Sequence, residues 1–250
     1  MNKSKLLQLA IDNKSAAKSF AVKANGDSTR IELFDVIDDY YGVSASAFVA
    51  ALNGIESPEI ALHINSPGGD VFAARAMVAA IAAHPATITA HIDGLAASAA
   101  SYVAMACDKV VMQDGAMMMI HCAWSISMGN ASDMRATADI LEKVDDSIVK
   151  DYARKTGLAS EVIKQMMVDE TWMDSTEAVE KGFADSVATN EKGKAKANAW
   201  NLSAYDNAPK AERAPAPTPE PAPEPEESMA SEDHRKRQAQ RLRVLSLLNQ

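Results

Sequence analysis

The chain has 250 residues, 47% hydrophobic and 24% charged, which is enough apolar material for one sizeable globular domain with an appendage. Its net charge of −9 gives no support to general nucleic-acid binding. Two cysteines, Cys107 and Cys122, are too few and too oddly placed for a disulfide framework or a metal site, and they fit a reducing cytosol. No apolar run is long enough to span a bilayer. Met1 to Ile11 is basic and then briefly apolar before Asp12 and Asn13 cut it short, which opposes a secretory signal. A cytoplasmic protein is expected, with no cofactor, no metal, and neither membrane nor nucleic acid as partner.

In chain order, residues 1–28 are polar and Lys-rich, and Gly26-Asp27 marks a turn before the first clear strand, Arg30 to Ile37. Ser44 to Leu52 carries Phe48, Val49 and Leu52 at helical spacing and stops at Asn53-Gly54. Glu59 to Asn65 alternates Ile60, Leu62 and Ile64 as a strand entering a core does. It runs into Ser66-Pro67-Gly68-Gly69-Asp70, where paired glycines let backbone N–H groups approach a ligand closely. A helix Val71 to Ala83, broken at His84-Pro85, and a strand Thr87 to Ile92 follow. Asp93 to Met105 then reads as a strand end, a turn of small residues, and a helix whose first turn carries Ser98 and Ser101. Lys109 to Met112 and Ala116 to His121 are short strands joined by Asp114-Gly115.

Asn130 to Thr156 places Met134, Ala138, Leu141, Val144, Ile148 and Tyr152 at three- and four-residue steps, a long amphipathic helix closed by Gly157. Helices Ser160 to Met167 and Ser175 to Lys181 complete the body, the second closed by Gly182. Alternating strands and helices call for right-handed crossovers and a largely parallel sheet, an α/β fold. From about Asn190 the composition changes. Residues 191–233 include Ala214-Pro-Ala-Pro-Thr-Pro-Glu-Pro-Ala-Pro-Glu-Pro-Glu, expected to be a disordered Pro/Glu-rich linker. Residues 234–250 are basic and then Leu-rich, suited to a short docking helix. The expected division is therefore an extension (1–28), a catalytic body (29–190), a linker (191–233) and a tail (234–250).

A serine at a helix start sits where unpaired N–H groups and the helix dipole favour developing negative charge, which suits an acyl-transfer nucleophile. Ser98 is that candidate. His121 ends an apolar run downstream, and Asp169-Glu170 follow later, so serine, histidine and carboxylate stand in order with a glycine turn to help bind an oxyanion. Of the other histidines, His63 and His91 fall in strands, His84 precedes a proline and His234 lies in the tail. Cys122 follows His121 directly, and neighbours on a strand point to opposite faces, so it reads as a structural thiol.

Asn65-Ser-Pro-Gly-Gly69, Gly94-Leu-Ala-Ala-Ser98, Met119-Ile-His121 and Glu177-Ala-Val-Glu-Lys-Gly-Phe-Ala-Asp185 together resemble the ClpP family of self-compartmentalising serine peptidases, over about Arg30 to Val187. Within it, Tyr41-Gly-Val-Ser-Ala, Asp93-Gly-Leu-Ala-Ala-Ser and Glu170-Thr-Trp most resemble the Clp-like proteases that tailed phages and prophages use for head maturation. The resemblance implies a ClpP/crotonase-like fold of repeated ββα units, with the long helix as a protruding handle through which rings stack. It implies a Ser98-His121-Glu170 triad, with Glu170 where the family usually has aspartate and Asp169 as the alternative. It places the backbone N–H groups of Gly69 and Ala99 in the oxyanion hole. It also implies a homo-oligomeric ring, stacked in pairs, with phage capsid or scaffold protein as substrate.

The N-terminal segment does not resemble the one that docks an ATPase in the housekeeping subunits, and the chain has no GxxxxGK[ST] loop, so ATP-independent cleavage is expected. The rival readings are an accessory cytoplasmic ClpP paralogue that degrades peptides, a crotonase-type acyl-CoA enzyme and a non-enzymatic assembly scaffold. Removing residues 205–250 is expected to leave short-peptide cleavage nearly unchanged, because the triad and both oxyanion donors precede Val187.

Overall fold

A computed structural model describes residues 5–16, 18–188 and 200–209. The elements are α1 (Lys5–Asp12), β1 (Ser19–Asn25), β2 (Ser28–Phe34), α2 (Ala45–Asn53), β3 (Glu59–Ser66), α3 (Val71–Ala83), β4 (Thr87–Ala97), α4 (Ala99–Met105), β5 (Lys109–Gln113), β6 (Met117–Ile120), α5 (Ala131–Thr156), α6 (Ser160–Val168), β7 (Thr171–Asp174), α7 (Ser175–Glu180) and β8 (Ser186–Ala188). The strands form one mixed sheet in the order β1-β2-β3-β4-β5-β8, with β6 against β4 and β7 against β6. Apart from the antiparallel pairs β1·β2 and β6·β7, every pairing is parallel, as alternating strands and helices require.

The hydrophobic period of β3 and β4 sets which face is buried. Ile60, Leu62 and Ile64 on β3, and Ile88, Ala90 and Ile92 on β4, turn inward against α2, α3 and α4. The alternate residues His63 and His91 lie on the opposite face, ring on ring, with centroids 4.7 Å apart. β4 is longer than the sequence pattern suggests and serves two partners in succession. Thr89 to Ile92 pair with β5, and Leu95 to Ala97 pair with Met117 to Met119 of β6. That division carries the end of β4 to the end of β6, which fixes the position of the site described below.

α5 starts at Asn130, whose side chain caps it in a capping box with Asp133, and stops at Gly157 in the left-handed conformation. At 1.5 Å per residue it is about 39 Å long. Val144, Ile148, Val149 and Tyr152 bury its C-terminal half, whereas residues 131–140 are exposed apart from Thr137.

Three expectations change. The segment 1–28 is not set apart from the body, because β1 pairs with β2 along its whole length, from Ser19 opposite Phe34 to Asn25 opposite Ser28. Its lysine hid the strand. Lys23 projects to Glu32 at 2.9 Å, while Phe20 packs on the core beside Phe48, a division of charge and apolar surface that suits an edge strand. Second, the stretch 191–233 is not linker throughout. Trp200, Ala204 and Tyr205 are buried in a small second core with Leu9 of α1, Leu95, Ala97 and Met119. Third, β7 and β8, too short to announce themselves by periodicity, complete the sheet. The Pro/Glu run and the basic, Leu-rich stretch 234–250 lie outside the described residues.

Candidate active site

Ser98 stands between β4 and α4 at φ 55° and ψ −123°, a conformation that costs a non-glycine residue of order 1–3 kcal/mol. What holds it there is the sheet below and the helix above. Its N–H donates to the Met119 carbonyl at 2.9 Å, and its own carbonyl accepts from the N–H groups of Ser101 and Tyr102. Ser101 is the other hydroxyl of the turn, and it is fully buried, donating to the Ser98 carbonyl at 2.6 Å and meeting the Tyr152 hydroxyl at 2.9 Å. Ser101 is therefore committed to packing α4 on α5, whereas Ser98 opens on a cavity.

Because β4 and β6 are parallel neighbours that finish together, the residues just beyond their C-terminal ends meet. His121 follows β6, and its Nε2 lies 2.7 Å from Ser98 Oγ. β7 runs antiparallel to β6 with Thr171 opposite Ile120, so one further step of the register sets Glu170 across from His121. The backbone turns there, with Glu170 at φ 49°. The Glu170 carboxylate is buried and accepts from Trp172 Nε1 at 3.2 Å, the Asp206 N–H at 3.1 Å and the Asn207 N–H at 2.7 Å. Asp169 is exposed, its carboxylate accepting from Gln165 Nε2 at 2.8 Å on the surface of α6.

The Pro67-Gly68-Gly69 loop crosses directly over the Ser98 turn. A Cβ on Gly68 would collide with the Ala97 carbonyl and come within 2.8 Å of Ser98 Cβ and 3.0 Å of Ala99 N, so only glycine lets the two segments touch. Gly69, at φ +152°, is bracketed by Ile37, whose N–H donates to the Gly68 carbonyl at 2.8 Å and whose carbonyl accepts from Asp70 N–H at 2.7 Å. In a planar trans peptide the N–H points opposite to the carbonyl, so the Gly69 N–H faces away from Ile37. Ala99 is the first residue of α4, and the N–H groups of a helix's first turn have no partner within it.

Gly69, Ser98, Ala99 and His121 line one side of a cavity of about 450 Å³, with Ile126, Leu141 and Val144 on the other and the exposed Phe72 at its rim. Residues 123–126, which form part of its wall, are tied down by the Ala123 N–H donating to Asp145 Oδ1 at 2.7 Å. Cys122 is half-buried, and desolvation, with Asp145 beside it, pushes its thiol up to about 11, so it is a poor nucleophile at neutral pH. Cys107 is buried and pushed up to about 12. Among the described residues no group of His, Cys, Asp or Glu side chains is arranged to hold a metal ion.

Sequence reasoning missed Tyr205. Its ring stands edge-on to His121 at 5.4 Å and to Trp172 at 5.9 Å, and its hydroxyl donates to the Pro67 carbonyl. Burial pushes the phenol far above its usual value. The expectation that residues after Val187 lie clear of the site is therefore corrected. The available signal was Trp200 and Tyr205 themselves, two aromatics in a stretch otherwise read as solvated.

A family model described as Clp protease matches residues 20–191. Among curated relatives, the ATP-dependent Clp protease proteolytic subunit of Staurastrum punctulatum is 31% identical over 158 residues, covering 62% of this chain and 79% of that protein. The proteins of the same name in Bacteroides fragilis and Deinococcus radiodurans are 29% and 30% identical over 154 and 149 residues, covering 74% and 73% of their own lengths and 60% and 57% of this chain.

Proposed function

From the chain's membership of the Clp protease family, a family of peptidases, we propose that it is a serine endopeptidase acting through Ser98, His121 and Glu170. The observation that carries this is the 2.7 Å contact between Ser98 Oγ and His121 Nε2 at the mouth of an apolar cavity, on a turn strained enough to need a reason.

In the proposed mechanism Ser98 Oγ attacks the scissile carbonyl carbon as His121 Nε2 takes its proton. The oxyanion that forms is held by the N–H groups of Gly69 and Ala99. Collapse of this intermediate breaks the C–N bond, and the leaving amine takes the proton from His121. Water then repeats the sequence on the acyl-enzyme, returning the proton to Ser98. Glu170 holds the imidazole and stabilises its cationic form. The apolar cavity wall favours substrates with an apolar side chain beside the cut bond.

The proposal extends to a homo-oligomeric ring, with the exposed first half of α5 as the handle between stacked rings and phage scaffold or capsid protein as substrate. The family supports the ring, and the sequence resemblance to the head-maturation group supports the substrate class. The curated relatives are named as ATP-dependent, yet this chain carries no phosphate-binding loop, so short peptides are proposed to be cut without nucleotide. The experiment is cleavage of short apolar peptides by the purified protein with and without ATP, alongside co-expression with head proteins and mass mapping of their products. Nucleotide-independent turnover and discrete capsid or scaffold cuts are expected. Peptide cleavage without head-protein cuts would favour an accessory peptide-degrading paralogue, and no cleavage of either would reject a peptidase.

A further inference from the structure

Residues 200–209 lie beyond the matched family region, yet they reach His121, Glu170 and the peptide before the glycine pair. Their attachment is extensive. Trp200 Nε1 donates to Asn65 Oδ1 at 3.0 Å, at the entrance to the glycine loop. Asn13, buried after α1, accepts from the Asn201 N–H at 2.6 Å and donates to the Asn201 carbonyl at 2.9 Å. Asn207 Nδ2 donates to the Asp169 carbonyl at 3.0 Å, next to the N–H groups of Asp206 and Asn207 on the Glu170 carboxylate. Three polar anchors and a buried aromatic pair make this a built contact.

Resting on the serine-peptidase reading, we propose that residues 200–209 form an integral strap of the catalytic centre, and that Tyr205 is a positioning residue for His121 and the oxyanion loop. Two contacts define its work. The ring, edge-on to the imidazole, fills the space into which His121 would otherwise rotate away from Ser98. The hydroxyl, donating to the Pro67 carbonyl, fixes the peptide that leads into Gly68 and Gly69, and so the direction of the Gly69 N–H. In the next two residues the strap sets the carboxylate: Glu170 is gripped by the consecutive backbone N–H groups of Asp206 and Asn207, one on each oxygen.

The test is made in the full chain, with Tyr205→Phe and Tyr205→Leu beside the unaltered protein. It reads the rate at which a fluorophosphonate labels Ser98, kcat and KM on a short peptide, and the melting temperature. Tyr205→Phe keeps the packing and removes one hydrogen bond, so labelling and kcat should fall together by about three- to tenfold with KM unchanged. Tyr205→Leu, which also frees the imidazole, should fall further. A scaffolding role alone would move the melting temperature and leave the folded protein's labelling rate untouched. Tyr205→Phe labelled at the unaltered rate would overturn the proposal while leaving the serine-peptidase reading standing. No label on Ser98 in the unaltered protein would overturn that reading, and the proposal with it.

Discussion

Replacing Gly69 by alanine separates the cost of backbone strain from the loss of an oxyanion donor. A Cβ at this position would run into the Ile37 carbonyl and lie within 2.8 Å of its carbon and 2.9 Å of Ile37 N, and none of these can give way, because they are backbone atoms. The loop must shift, and with it the Gly69 N–H. Strain at such a conformation is of order 1–3 kcal/mol, a part of the roughly 5–15 kcal/mol that holds a domain together, so the protein should still fold. Its melting temperature should drop by about 2–4 °C for each kcal/mol. Loss of one donor from an oxyanion hole slows acyl transfer by about 10²- to 10³-fold. The control is Gly115→Ala: φ is +78° there too, but a Cβ would meet nothing within 4 Å and the site is remote. The assay is kcat/KM on a short peptide, with melting curves for both variants. Gly69→Ala should lose activity by the larger factor and Gly115→Ala only stability. Comparable activity in the two variants at equal folded fraction would refute the assignment of the Gly69 N–H to the oxyanion.

Glu170→Gln should lower kcat by about 10²- to 10⁴-fold, because an amide cannot stabilise the imidazolium of His121, while Asp169→Asn stays within a few-fold; steady-state kinetics on one peptide decides the ranking. Ser101→Ala should cost about 1–3 kcal/mol by leaving the buried Tyr152 hydroxyl without a partner, yet the folded protein should retain Ser98 labelling; denaturant melts read the first and probe labelling the second. Lys23 above all, with Ser19 and Arg30, holds the Glu32 carboxyl down to about 2 from its ordinary 4.5. A carboxyl whose folded value is depressed contributes stability that is complete above its unfolded value and lost as pH falls toward the folded one. Melting temperatures of the unaltered protein should therefore lose this contribution between pH 4.5 and 2, and Glu32→Gln should flatten that limb.

Much of the site was legible because its parts sit at the ends of strongly patterned elements. β3 and β4 alternate cleanly, so the glycine loop and the small-residue turn stood out as interruptions, and the His121 strand was short but wholly apolar. The strand pairing that joins these parts was not legible. β4 continues five residues past Ile92 and changes partner from β5 to β6, a switch that no local pattern encodes. Glu170 could be placed by resemblance, but its environment depends on Asp206 and Asn207, more than thirty residues away in sequence. Tyr205 was obscured by its neighbours: a ring anchored by the Pro67 carbonyl and packed on an imidazole leaves no periodic trace, and the charged and Pro-rich residues around it dominate the composition. β1 was obscured similarly, since an edge strand with Lys23 facing out carries little hydrophobic signal.

The most direct measurement of the central claim is peptide mapping by mass spectrometry after the full chain has reacted with a fluorophosphonate. The adduct should sit on Ser98 alone, vanish in Ser98→Ala, and form at a much reduced rate in His121→Ala, since the hydroxyl 2.7 Å from Nε2 is activated by that ring. An adduct on Ser101 or Cys122, or labelling of Ser98 at an undiminished rate without His121, would contradict it.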